Sequence, residues 1–303
     1  MQRDKRYVNP GTFAEVIRKY RASHKFLKLA VSSQKHWGYL LSIAELHLGA
    51  YSVDQIGPPE VQAFLDGFSD RLAQQRSAKA AIKAVEKFAI VRRLLPWPVT
   101  TGTEAPGSDG GHEPWTDDQV ELAERESRPH ISQIITLSVN TGQRNSDVIK
   151  MRWTDLEVFE GRMGINVIQK KTGVRIWIPL TQKLADALEQ WERRPGFIAL
   201  KENGMPWERH QATLQWARER DTKPALAPLK AAGLVLHGLR ATAVVRLRRA
   251  GATTGQIKDM VGMSEPMVGR YCRMSVQREN ALAAVHYLDT NKNISRTRDE
   301  RGK

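Results

Sequence analysis

Apolar residues recur at helical spacing along the first third of the chain. They repeat every three or four positions over residues 13–20, 40–48 and 81–89. Such spacing places apolar side chains on one face of a helix. We therefore predict a compact bundle of about four helices over residues 10–95.

The apolar pattern stops over residues 96–115, where Pro, Gly, Ser and Thr predominate. This composition is typical of a linker, and 303 residues exceed the usual size of one domain. We predict a helical domain at 1–95, a linker at 96–114 and a second domain at 115–290. The polar and charged residues 291–303 are predicted to form a mobile basic tail.

The pattern of the second domain changes along its length. Thr116 with Gln119 three residues later resembles a capping box and predicts the start of a helix. Residues 165–180 alternate β-branched and polar side chains on either side of KKTG, which predicts a β-hairpin. Helical spacing resumes at Gln182 and continues to about residue 287. The fold class is therefore mainly α with a small antiparallel β-hairpin or sheet in the C-terminal domain, an α+β arrangement.

The charge balance narrows the class of partner. A formal net charge of +14 should attract a polyanion, either nucleic acid or an anionic membrane. The membrane is disfavoured because no run of about 18 apolar residues occurs. The first ten residues also lack the apolar stretch of a signal peptide, so we expect a cytoplasmic protein.

Metal and disulfide chemistry have few candidate residues. Cys272 is the single cysteine, which excludes an intrachain disulfide and a Cys-rich zinc site. The eight histidines show no HExxH-type pairing. We expect no metal and no cofactor.

The helical first domain is rich in cations near its start. Residues 1–35 contain nine Lys or Arg against two acidic residues. This imbalance favours phosphate contacts over a merely solvated helix face. The candidate DNA-binding residues of this domain are Arg18, Lys19, Lys25, Lys35, Arg76, Lys79 and Lys83.

Three segments far apart in the sequence contain residues suited to one chemistry. They are TGQRNSD at 141–147, HGLR at 237–240 and MVGMSEPMVGRYCR at 260–273. Cutting a DNA phosphodiester builds negative charge on the non-bridging oxygens, which guanidinium groups bind with paired hydrogen bonds. A tyrosine nucleophile preserves the bond energy in a phosphotyrosine ester, so the strand can be rejoined without ATP. In order and spacing, with the hairpin between the first two segments, the chain resembles the tyrosine recombinases, or phage-type integrases.

The resemblance covers residues 115–287 and implies a role for each matching residue. Arg144 and Arg240 would clamp the phosphate, and Tyr271 would be the nucleophile. Phenol has a reference pKa of about 10, so the attack at neutral pH needs a base or strongly positive surroundings. His237 would assist this proton transfer.

Two further positions of the motif allow alternatives. Lys171 at the hairpin tip resembles the family's general acid for the departing 5′ oxygen, but the adjacent Lys170 could serve instead. Asp147 stands where the family has Glu or Asp, and it would orient a catalytic cation or His237 rather than react.

The chain departs from the family pattern at Met263. The family has His or Trp after the glycine that corresponds to Gly262, and each carries an N–H, whereas a thioether is only a weak acceptor. Two hypotheses follow. Either Met263 packs against the helix of Tyr271 and the donor is dispensable, or another donor such as Ser264 replaces it.

The resemblance implies a two-domain clamp on DNA, built from a core-binding domain and a catalytic domain. It implies site-specific recombination through a 3′-phosphotyrosine and a Holliday junction, for a mobile element. Two other functions remain open: a DNA-binding protein that has lost cleavage, and a type IB-like topoisomerase. A covalent complex and joint products from two sites would separate the three.

The same resemblance suggests the partners. They are double-stranded DNA at specific sites, three further copies in a homotetramer, and an accessory directionality factor. The expected location is the cytoplasm, in association with the nucleoid. Residues 279–288 form a short amphipathic pattern, whose helix would pack either on its own domain or on a neighbouring protomer. Because the first helical pattern begins near residue 10, we expect no separate arm-binding domain.

Overall fold

The structure is a computed structural model that describes residues 9–107, 111–208, 210–275, 281–282 and 284–285. The chain divides into two compact units, Met1–Asp109 and Gly110–Lys303. The break between the units falls inside the region 96–114 that the sequence predicts as a linker.

The first unit is a helical bundle. Its helices are α1 Phe13–Arg21, α2 His24–Leu27, α3 Val31–Leu48, α4 Pro58–Asp66 and α5 Leu72–Val91. Helix α1 shows why they pack: Phe13, Val16, Ile17 and Tyr20 lie one turn apart and are at most 3% exposed. The ring of Tyr20 also meets Phe88 of α5 edge-on, with 5.6 Å between centroids.

The first part of the predicted linker packs on this bundle. Val99 is buried in the core of the first unit, and Trp97 Nε1 donates to Ile56 O at 3.0 Å. The amide of Thr100 donates to the buried carboxylate of Glu86 at 2.6 Å. These contacts belong to the first unit, so the predicted linker does not begin at residue 96: residues 97–100 are part of the bundle.

The second unit combines helices with one sheet. Its helices are α6 Asp117–Glu126, α7 Pro129–Thr141, α8 Asn145–Val148, α9 Gln182–Gln190, α10 Gln211–Thr222, α11 Ala227–Ala231, α12 Gly238–Arg249, α13 Thr254–Val261 and α14 Glu265–Ser275. The capping box predicted at the start of α6 is present: Thr116 Oγ accepts from the Gln119 amide, and Gln119 Oε1 accepts from the Thr116 amide.

The sheet has three antiparallel strands in the order β1–β2–β3. They are β1 Leu156–Phe159, β2 Arg162–Ile168 and β3 Arg175–Pro179. Strands β2 and β3 form the predicted hairpin, with Ile165 opposite Ile178. Strand β1 is an addition to the prediction. The fold class, mainly α with a small antiparallel sheet, is confirmed.

Two apolar clusters hold the second unit together. The larger one joins α6, α7, the sheet and α10, and within it Trp115 lies 5.2 Å from Trp216 between ring centroids. The smaller one, the C-terminal cluster, consists of Val244, Ile257, Val261, Val268 and Cys272. This cluster connects α12, α13 and α14, so it fixes the helix that carries Tyr271.

No helix among the described residues is long and apolar enough to cross a membrane. The predicted tail 291–303 and most of the predicted helix 279–288 lie outside the described residues. Leu282 and Val285, which are described, are exposed.

Candidate active site

The TGQR segment begins where α7 ends. Gly142 has a φ of +65°, and its amide donates to Ser138 O at 2.9 Å, which closes the helix with a left-handed residue. A Cβ at this position would lie 2.7 Å from Val261 Cγ1, so glycine also permits close packing against the end of α13. Arg144 follows at the start of α8, half-buried, and its Nη1 donates to Gln169 Oε1 at 3.2 Å.

Arg240 is the most deeply buried cation of the site. It lies on α12, three residues after His237 and therefore on the same side of the chain. The side chain is 3% exposed, and its Nη1 donates to Gly142 O at 2.6 Å. Its Nη2 is buried without an acceptor among the described residues. This nitrogen can therefore donate to an oxygen anion.

Burial lowers the pKa of Arg240 to about 10, and the neighbouring charge of Arg144 adds to this effect. Tyr271 and Asp147 act on the same pKa in the opposite direction. The guanidinium still carries its charge at neutral pH. Arg144, Arg240 and Tyr271 are therefore close enough to interact.

The KKTG turn brings the lysines to the same place. Gly173 has a φ of +71°, and its amide donates to Gln169 O at 2.8 Å, which closes the turn between β2 and β3. Lys170 and Lys171 are both exposed. The charge of Lys171 is among those that lower the pKa of His237, which places it near that imidazole.

Asp147 holds the backbone of this turn. Its side chain is 4% exposed, and Oδ1 accepts from the Lys170 amide at 3.1 Å and from Ser146 Oγ at 3.3 Å. Oδ2 is buried without a hydrogen-bond donor among the described residues. The carboxylate thus positions the lysine turn relative to α8, and its charge also acts on Arg240.

His237 sits among cations. Burial lowers its pKa to about 4, with further lowering by His112, Arg240, Arg144 and Lys171, in that order. The imidazole is therefore neutral at pH 7. A neutral imidazole can accept a proton.

Tyr271 is half-buried on α14 and packs against the C-terminal cluster. Its ring also lies against the backbone of Gly111: a Cβ at 111 would be 2.8 Å from Tyr271 Cε1 and 3.5 Å from the hydroxyl oxygen. The five residues predicted to act in catalysis thus lie close enough to influence one another: Arg144 and Tyr271 act on the pKa of Arg240, and Arg240, Arg144 and Lys171 act on that of His237. Two guanidiniums, a lysine and a neutral imidazole beside a phenol can bind a phosphodiester and assist attack on phosphorus.

A sequence model of the Phage integrase family matches residues 118–278, more than half of the chain. The chain belongs to the phage integrase family. The match contains every predicted catalytic position, from Arg144 to Tyr271.

Solved structures share the fold of this family member. A lambda integrase dimer bound to a COC' core site superposes with a TM-score of 0.68 at 20% identity, covering 86% of this chain and 77% of that chain. The Tn1549 transposon integrase in complex with circular intermediate DNA gives 0.67 at 16% identity, covering 86% and 94%. XerH site-specific recombinase bound to a palindromic difH substrate gives 0.65 at 14%, covering 90% and 83%. A comparison with curated proteins gave no match.

Met263, the departure from the family pattern, is half-buried and packs against the C-terminal cluster. This contact agrees with the packing named in the first hypothesis, whereas the dispensability of the donor stays a prediction. Ser264 is exposed, and its carbonyl accepts from the amides of Met267 and Val268 in the first turn of α14. Its backbone therefore caps the helix of Tyr271.

Gln169 is a site residue that the sequence did not reveal. It is fully buried, and its Nε2 donates to Gln143 Oε1 and to Val261 O, both at 2.8 Å. Its Oε1 accepts from Arg144 Nη1 and from Thr172 Oγ at 2.9 Å. One amide thus connects the TGQR segment, the lysine turn and the end of α13. In the sequence, a glutamine next to two lysines is typical of a solvated turn.

A second unpredicted feature is the wall segment, residues 111–115. The imidazole of His112 meets that of His237 edge-on, with 5.0 Å between centroids and 75° between planes. The Trp115 amide donates to Thr242 Oγ at 2.7 Å, which ties the segment to α12. The Gly and Pro content of this stretch predicted a linker and concealed its place beside the site.

The candidate DNA-binding residues of the first unit differ in their surroundings. Arg76 Nη1 donates to Gly107 O at 2.8 Å, and Lys79 Nζ donates to Thr103 O, so both hold the loop that follows the bundle. Arg18 pairs with Glu45 at 2.7 Å, and Lys19 pairs with Glu15 at 2.8 Å. Three exposed cations complete the set: Lys25, Lys35 and Lys83. A role in DNA binding stays a prediction for all seven.

Within the part of the chain that the structure describes, no group of three or more His, Cys, Asp or Glu side chains could hold a metal ion.

Proposed function

We propose that the protein is a site-specific DNA recombinase that cuts and rejoins DNA through a 3′-phosphotyrosine at Tyr271. The observation that carries this proposal is the buried guanidinium of Arg240. Its Nη1 is fixed by Gly142 O, while Nη2 is buried without an acceptor in the described part of the chain. An unsatisfied buried donor is unfavourable unless a ligand satisfies it. A phosphate oxygen beside Arg144 and Tyr271 would do so.

In the cleavage step, Tyr271 Oη attacks the scissile phosphorus and the bond from phosphorus to the 5′ oxygen breaks. The phenol proton passes to His237, whose lowered pKa keeps it neutral and able to accept. Lys171 gives a proton to the departing 5′ oxygen. Arg144 and Arg240 bind the non-bridging oxygens, where charge accumulates. Rejoining is the reverse, with the 5′ hydroxyl of another strand as nucleophile.

Asp147 supports this step through the lysine turn. Its bond to the Lys170 amide fixes the backbone next to Lys171. Placement of a flexible lysine within reach of the leaving oxygen reduces the freedom lost in the transition state.

The partner is double-stranded DNA at specific recombination sites, consistent with the net charge of +14. The second unit acts as the catalytic domain, and the helical first unit acts as a core-binding domain that supplies further phosphate and groove contacts. Lambda integrase has been solved as a tetramer bound to a Holliday junction. By analogy, four copies of this chain exchange strands through such a junction.

We further propose a role in a mobile element, as for the Tn1549 transposon integrase. An accessory directionality factor would determine whether the protein integrates or excises the element. The protein would act in the cytoplasm on nucleoid DNA.

The test uses a nicked suicide duplex that contains the end sequences of the element encoding the protein. The wild type should form a covalent protein–DNA complex, and Tyr271→Phe should abolish it. Tyr51→Phe, at a 40% exposed tyrosine of the first unit, is the matched control and should retain it. A complex that persists in Tyr271→Phe would refute the proposed nucleophile.

The same experiment separates the other functions. A topoisomerase would relax supercoiled DNA without two sites, and a protein that has lost cleavage would bind the duplex without a covalent product. A recombinase gives joint products only when two sites are present.

A further inference from the structure

The wall segment is anchored firmly beside the active site. Trp115 donates from its amide to Thr242 Oγ at 2.7 Å and from Nε1 to Val235 O at 3.2 Å. A Cβ at Gly238 would lie 2.5 Å from Glu113 O, so the segment runs directly over the start of α12. Its side chains are therefore held at defined positions relative to His237 and Arg240.

Two successive residues of this segment touch the catalytic groups. Gly111 packs against the ring of Tyr271, with its ideal Cβ position 3.5 Å from the hydroxyl oxygen. His112 meets the ring of His237 at 5.0 Å between centroids. His112 therefore adjoins His237, and its chain neighbour Gly111 adjoins Tyr271. His112 is also exposed to solvent.

The reaction requires hydrogen-bond donors for the non-bridging oxygens, and His112 can supply one. A phosphoryl-transfer transition state spreads negative charge over its non-bridging oxygens, and each oxygen accepts more than one hydrogen bond. Met263 cannot contribute, because a thioether has no proton to donate and this side chain packs against the C-terminal cluster. An imidazole of either charge state carries at least one N–H.

We propose that His112 is a further catalytic residue, which donates an imidazole N–H to a non-bridging oxygen of the scissile phosphate. This inference rests on the proposed recombinase function. His112 keeps its proton throughout: the bond between Tyr271 Oη and phosphorus forms as the bond to the 5′ oxygen breaks, His237 takes the phenol proton, and Lys171 gives a proton to the 5′ oxygen. The hydrogen bond strengthens as charge develops on the oxygen.

Three substitutions at His112 separate hydrogen bonding from ring packing. His112→Gln keeps an N–H donor without the ring, His112→Phe keeps a ring without the donor, and His112→Ala removes both. The measurement is the single-turnover rate of covalent-complex formation on the nicked suicide duplex, with the DNA dissociation constant measured alongside. Loss of one such donor slows the chemical step by about 100-fold in comparable sites.

We expect His112→Phe and His112→Ala to react about 100-fold more slowly than the wild type, with DNA affinity within about twofold. His112→Gln should stay within about tenfold of the wild type.

Two results would overturn the inference. One is an unchanged rate in His112→Phe, which would show that the ring packing and not the N–H matters. The other is a His112→Gln variant as slow as His112→Phe, which would show that an N–H donor at this position does not sustain the rate. If the wild type forms no Tyr271-dependent complex, the proposed function fails and this role fails with it. A normal wild-type complex with an unaffected His112→Phe variant removes only the role of His112.

Discussion

Gly262 lies at the junction of α13 with the segment that leads to Tyr271, and its replacement by alanine tests how the site is held together. Its φ is +61°, and its amide closes α13 by donating to Lys258 O at 2.8 Å. A Cβ here would lie 2.5 Å from Gln169 Nε2 and 2.9 Å from Gln169 Cδ. The amide of Gln169 must therefore move.

Two costs add in the Gly262→Ala variant. A left-handed alanine costs about 1 kcal/mol. Displacement of Gln169 weakens hydrogen bonds that it makes with Gln143, Val261, Arg144 and Thr172, each worth about 1 kcal/mol net. If two of the four are lost, the free energy of unfolding should fall by about 3 kcal/mol in total.

Gly233→Ala is the matched control. Gly233 also has a φ of +61°, but a Cβ there meets nothing within 4 Å. This variant should lose only the backbone term, about 1 kcal/mol. The difference of about 2 kcal/mol isolates the contact with Gln169.

Urea unfolding of the full chain measures this difference through tryptophan fluorescence. Six of the eight tryptophans follow residue 110, so the signal reports mainly on the second unit. Gly262→Ala should also slow covalent-complex formation at least tenfold, because Arg144 loses its anchor. Equal destabilisation of the two variants would refute the role assigned to Gln169.

Three further results are expected. Lowering the pH from 6.5 to 4 should destabilise the DNA-free protein by about 1–2 kcal/mol through His237, allowing for its partial exposure, because the unfolded imidazole takes up a proton that the native one resists. In His237→Asn, the urea midpoint of unfolding should change less between pH 6.5 and 4 than in the wild type. An unchanged pH dependence of the midpoint would contradict the reasoning. Lys171→Ala should slow cleavage by about 100-fold while Lys170→Ala stays near the wild type; the reverse order would assign the general acid to Lys170. Ser264→Ala should cleave at the wild-type rate, whereas a tenfold loss would show that its hydroxyl serves the phosphate.

Local patterns predicted the elements whose side chains obey a regular period. Helices α1, α3 and α5 of the first unit and the β2–β3 hairpin follow from such spacing, and the capping box at Thr116 follows from the Thr and Gln three residues apart. Strand β1 could not be predicted in this way, because three of its four residues are exposed and its side chains do not alternate between buried and exposed. Its pairing with β2 depends on backbone hydrogen bonds, which leave no pattern in the side chains.

The candidate site likewise contains residues that the sequence could identify and residues that it could not. Arg, His, Lys and Tyr suit the chemistry, and the resemblance to the tyrosine recombinases assigned their roles to particular positions; those roles stay predictions. The residues that hold them could not be identified from the sequence, because their importance depends on distant partners. The side-chain amide of Gln169 is held by Gln143 and Val261, which lie 26 and 92 residues away. His112 lies in a stretch with the composition of a linker, and its neighbour His237 is far along the chain.

The shared amide of Gln169 has a consequence for protein engineering. Positions 143, 169 and 262 pack as one unit: the glutamine needs both its partner amide and the space that glycine leaves. Saturation of any one position alone would return mostly inactive variants, whichever DNA sequence is selected for. A library meant to evolve new integration sites should therefore randomise the three positions jointly, or leave them unchanged and vary the exposed cations instead.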